Sequence, residues 1–85
     1  MRISVRSRAG RNGKEPSSFC LGRRELHVVD ILDRCELAGG RRFQVRVADG
    51  RRFVIRHQTA VDRWELTAVY GPALPPRPAL MRRSP

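Results

Sequence analysis

The sequence predicts an all-β domain: a four- to five-stranded antiparallel meander or small open barrel over residues 18–70. Two observations carry this. Residues Arg42–His57 alternate apolar and polar side chains in a period of two on either side of Asp49-Gly50, the mark of strands buried on one face only. Residues Arg63–Tyr70 alternate again, with Trp64, Leu66 and Ala68 set against Glu65, Thr67 and Val69. Short strands with turn signals between them favour a meander or a curled sheet.

The elements follow in order. Ser18–Leu21 is the first expected strand, closed by a turn at Gly22-Arg23. Glu25–Leu32 is the second. Val29-Ile31-Leu32 breaks its alternation, which points to a bulge near Val29-Asp30. The same segment has a helical alternative, because Val28, Leu32 and Cys35 would line one helical face; that would give an α+β fold with a helix over 25–37. Its β-branched content favours the strand.

The hairpin register can be derived from the turn. A two-residue loop at Asp49-Gly50 would place Arg46 opposite Phe53 and mix the two faces. A three-residue loop, Ala48-Asp49-Gly50, places Val45 opposite Phe53 and Phe43 opposite Ile55. Gly50 then takes the left-handed position such a loop requires, where the absence of a Cβ removes the steric cost. On the other face Arg46 falls opposite Arg52, and Arg42 opposite Arg56. Like charges across a ladder repel, so carboxylates or a bound anion are needed there. Gln58–Asp62 is a loop and Arg63–Tyr70 the last strand. The expected core is Phe19, Leu21, Leu26, Val28, Ile31, Leu32, Phe43, Val45, Val47, Phe53, Ile55, Trp64 and Leu66, with Tyr70 at its margin.

The ends read as tails. Residues 1–17 carry basic and turn-forming side chains, and Glu-Pro-Ser-Ser resembles a linker. Residues 71–85 are rich in Pro and Arg, and proline withholds the N–H a sheet interior needs. The chain has a net charge of +10, and all its basic residues but Lys14 are arginine. Most of the excess falls in these tails, since residues 19–70 set ten arginines against seven acids. Codon preference accounts for the Arg/Lys ratio at least as well as selection for phosphate does. The charge itself still favours anionic partners.

Several classes are disfavoured. Cys20, His27, Cys35 and His57 lack the paired spacing of a structural zinc site, so no metal and no cofactor are expected. His57 ends the inward row of the hairpin and reads as a rim or satisfied core histidine. No nucleophile, base and orienter assemble, and no phosphate loop or dinucleotide fingerprint occurs, so an enzyme is not expected. Two cysteines make no disulfide framework, and no run approaches membrane-spanning length. Arginines interrupt the first eleven residues, so no signal-peptide core is expected and the cytoplasm is the default location.

What remains is a small non-enzymatic binding module. Its expected site is Arg42, Arg46, Arg52 and Arg56, extended by Arg23, Arg24, Arg41 and Arg51 at nearby turns, and its expected partner is nucleic-acid phosphate. The arginine face holds no aromatic for stacking, so it is expected to contact phosphate rather than to read bases. The alternative is a protein-interaction module using an edge strand or the Pro-rich tail. A second copy packing on so small a core, as in a dimer, stays open.

Phe19-x-x-Gly22-Arg23-x-x-Leu26-x-Val28-x-x-Ile31-Leu32-Asp33-Arg34, Phe43-x-Val45 with Asp49-Gly50, Arg56-His57 and Arg63-Trp64-Glu65-Leu66 form one pattern. It resembles that of a group of small bacterial β-proteins with an opening Phe…Gly-Arg segment, a hairpin with a Gly turn and a closing Trp-x-Leu strand. Some of these are encoded near lesion-bypass DNA polymerases. The resemblance implies an all-β fold and a DNA-associated role.

Overall fold

The computed structural model describes residues 1–10 and 13–71. Six strands run in chain order: β1 (Arg2–Gly10), β2 (Gly13–Leu21), β3 (Arg24–Leu37), β4 (Gly40–Val47), β5 (Arg52–Gln58) and β6 (Arg63–Tyr70). Each pairs antiparallel with the next, and β6 returns to β1, so the sheet closes into a barrel.

The hairpin register is the expected one. Phe43 pairs with Ile55, Val45 with Phe53, Arg42 with Arg56 and Arg46 with Arg52. The loop is closed by Val47 and Arg51, whose N···O distance is 3.0 Å, and Gly50 has φ 91°. Phe43, Val45, Phe53 and Ile55 are wholly buried. Phe19 meets Phe53 edge-on at 5.0 Å, and Phe43 stacks with Trp64 at 6.0 Å. Burying each such side chain contributes about 1.5–3 kcal/mol, so these few residues dominate the stability of a small core.

Residues 25–37 are strand, which excludes the helical alternative. The bulge lies where expected, between Val28 and Asp30, and a second follows between Ile31 and Asp33. The two bulges turn Leu32 outward, so it is 44% exposed rather than part of the core. Tyr70 is also outside the core, because it lies opposite Arg52 on the outward row.

The largest departure is at the N-terminus. The expected tail over 1–17 instead supplies β1 and most of β2, raising the strand count to six and closing the barrel. Ile3 joins the core and Val5 packs against it. Two features disguise the pair. Beyond Val5 the β1 positions are short or charged, so the apolar alternation ends after two residues. In β2, Pro16 interrupts the pattern, but it sits at a register shift. Arg6 pairs with Ser18 and Ser7 with Pro16, leaving Ser17 as the extra residue, with its hydroxyl 2.9 Å from the Arg6 carbonyl. A bulge is where a strand tolerates proline. The Pro/Arg-rich tail lies, from residue 72 onward, outside the described residues.

The β1–β6 seam is short. Arg2 pairs with Glu65 and Ile3 with Trp64, and the Leu66 N–H donates to the Met1 carbonyl at 2.6 Å. The β4 entry is tight: a Cβ at Gly40 would lie 2.0 Å from the His57 carbonyl oxygen, a backbone atom that cannot turn aside.

Deleting residues 1–17 should therefore unfold the domain rather than trim it, seen as loss of near-UV circular dichroism and of amide dispersion. Retained native spectra would mean that β1 is dispensable. Gly40→Ala should lower stability by roughly 3 kcal/mol or more in urea denaturation, because neither strand can yield.

Candidate nucleic-acid interface

Period-two geometry arranges the outer surface of β3–β6 in rungs. Register places Cys35, Arg42, Arg56 and Glu65 on one rung, Asp33, Gln44, Val54 and Ala68 on the next, and Asp30, Arg46, Arg52 and Tyr70 on the third. Arg42 and Arg46, four residues apart, stand about 13 Å from each other along the strand. Short side chains at Val54 and Ala68 between two rungs of long ones leave a groove of about 380 Å³. A bulge on β6 makes Thr67 an extra residue there, and its hydroxyl donates to the Val54 carbonyl at 3.1 Å.

The eight predicted arginines divide sharply. Arg46 is paired with Asp30, which relieves its repulsion with Arg52 without any external anion. Arg42, Arg52 and Arg56 have no carboxylate within 4 Å among the described residues. The Nε–H groups of Arg52 and Arg56 are shielded from solvent and have no acceptor among the described residues. An unmet buried donor costs about 1–3 kcal/mol, so an acceptor reached by turning either guanidinium would be favoured. Arg52 lies over the Tyr70 ring, its guanidinium carbon 5.5 Å from the centroid.

Arg51 belongs elsewhere. Its Nε donates to Asp49 at 2.7 Å, and its backbone N–H binds the same carboxylate. Those contacts, the backbone bond first, hold the Asp49 carboxyl below its ordinary range. Arg23 lies in the exposed β2–β3 turn and Arg24 opens β3, where it shares a surface cleft with Asp49 rather than with the groove.

Arg41 corrects the expected patch most clearly. It is buried, with its Nε 2.9 Å from Glu36, another nitrogen 3.1 Å from the Lys14 carbonyl, and its guanidinium over the Phe43 ring at 4.8 Å. Arg41 shares the inward parity of Phe43, Val45 and Val47, so the alternation already assigns it to the interior. It plugs one end of the barrel and is withheld from any ligand.

That end is a polar cap. His57 stacks on Trp64 at 3.9 Å and donates from Nε2 to Asp62 at 2.7 Å, which makes it a satisfied core histidine. Asp62 adopts φ 50°, a left-handed conformation that a short polar residue tolerates. The bonds from His57 and then Lys14 hold its carboxyl below the usual carboxylate range. Buried Glu15 is lowered chiefly by its hydrogen bond from Arg34, at 2.7 Å, against the opposing effect of burial. Among the described residues no three Cys, His, Asp or Glu side chains converge as metal ligands would.

Sequence reasoning missed Asp33, Gln44, Thr67 and Tyr70 as groove residues. Gln44 was visible on the arginine face, but the others come from β3 and β6, whose pairing with the hairpin depends on strand order and bulges. Comparison of the chain with protein-family models and curated proteins, and of its fold with solved structures, gave no match.

The three lowered carboxylates, Asp49, Asp62 and Glu15, stabilise the folded state above the unfolded carboxyl pKa of about 4, and this contribution is lost as pH falls through their lower folded values. Thermal stability should therefore drop as the pH is brought below about 4. Asp62→Asn and Glu15→Gln should each be less stable at neutral pH and show a shallower acid loss. An unchanged pH profile in both variants would remove the polar cap from the account.

Proposed function

We propose that the outer face of β4–β6 binds nucleic-acid phosphate, without catalysis and with low sequence selectivity. The observation that carries this reading is that, among the described residues, Arg42, Arg52 and Arg56 gather on one face with no carboxylate within 4 Å, whereas Arg6, Arg34, Arg41, Arg46 and Arg51 are each paired. Guanidinium groups bind phosphate through paired N–H donors, and such contacts position a strand without reading its bases. Asp33 and Glu65 temper the face, so its attraction is local rather than that of a polycation.

A second reading draws on the seam. The N-terminal strand reaches β6 only as far as Leu66, so among the described residues Thr67–Tyr70 have no partner on that side, and Val69 and Tyr70 are exposed there. A partner strand could add there. The Pro-rich tail, the other expected docking segment, lies from residue 72 onward outside the described residues.

The readings separate in a binding titration with labelled oligonucleotides at two salt concentrations. Arg42→Glu with Arg52→Glu should weaken binding at least ten-fold and flatten its salt dependence, since each lost phosphate contact removes about one released counterion. Both positions are outward, so thermal stability should change little. Undiminished affinity in the double variant would overturn the phosphate reading and leave the β6 edge.

A further inference from the structure

We infer that the groove between the arginine rungs accepts an unstacked nucleobase, which makes single-stranded nucleic acid the preferred ligand. This rests on the phosphate reading and names the ligand class for the same face. The hairpin alone shows an arginine surface without an aromatic. Closure of β5 onto β6 adds one: Tyr70 lies opposite Arg52 and is 48% exposed. The guanidinium of Arg52 stands against its ring, which limits the ring's freedom. An exposed ring held in place beside unpaired arginines is the combination that binds single strands, because every base has a face to stack and every nucleotide a phosphate.

The groove's lining separates base from phosphate. Its floor is Val54 and Ala68, and Asp33 stands at one side. Val54 and Ala68 offer a phosphate no side-chain donor and Asp33 repels it, so the anion is left to Arg42 and Arg52 at the groove's margins. Floor and carboxylate suit a flat, uncharged ring whose edge carries N–H donors. Gln44 supplies both a donor and an acceptor. The phosphates on either side of the base then fall to Arg42 on one rung and Arg52 on the other. The volume of about 380 Å³ lies at the small end of ligand sites, which span about 300–1,000 Å³. A base within a duplex has both faces covered and could not enter, whereas a base in a single strand can be splayed out.

The test uses the full chain, a labelled single-stranded oligonucleotide of about ten residues, the matching duplex, and heparin as a polyanion without bases. The unmodified protein should prefer the single strand. Tyr70→Ala should lose roughly ten-fold in single-strand affinity and leave duplex and heparin binding unchanged, and Tyr70→Phe should retain the affinity. Trp64 fluorescence reports whether each variant is folded. Equal losses on all three ligands would overturn the inference, because the ring would then act only by positioning Arg52. Unchanged single-strand affinity in Tyr70→Ala, with Arg42→Glu and Arg52→Glu still disruptive, would overturn it while sparing the phosphate reading. If the arginine variants also bind normally, the phosphate reading itself fails.

Discussion

The three-residue loop at Ala48-Asp49-Gly50 sets the register on which the rest depends. With Gly50 in the left-handed region, Val47 and Arg51 close the turn, and the inward rows of β4 and β5 meet as apolar pairs. A slip of one residue would bring the arginines inside and the phenylalanines out. The same register fixes the exterior, since each inward pair of hydrophobic residues implies an outward pair between it and the next. Core and candidate site are thus two consequences of one alignment.

The hairpin was legible because both of its faces obey one period. Its pairing, its turn and its buried phenylalanines follow from the order of residues alone. So do the strand span Arg63–Tyr70 and the bulge near Asp30. The β1–β2 hairpin was not legible, for local reasons. Its core contribution from β1 is only Ile3 and Val5, and its proline lies at a bulge that the sequence does not announce. Closure of the barrel depends on this pair, so the number of strands could not be recovered without it.

The candidate site was legible in its arginines and hidden in its partners. Parity separates Arg41 from Arg42, sending one into the barrel and the other to the surface. Which arginines are neutralised depends on strands far apart in sequence: Asp30 reaches Arg46 only because a bulge in β3 shifts its register. Tyr70 joins the face only through the β5–β6 ladder and the bulge at Thr67. Long-range pairing therefore turned a plain basic hairpin face into a groove with a floor, a carboxylate and an aromatic wall.

The most direct test of the account is an NMR titration of the full chain with a short single-stranded oligonucleotide, following the backbone amides and the arginine Nε–H resonances. The account predicts shifts on β4–β6 at the groove, with the Nε–H signals of Arg52 and Arg56 moving as they gain acceptors and that of buried Arg41 unmoved. Perturbations confined to residues outside these three strands, with the Arg52 and Arg56 signals unchanged, would contradict it.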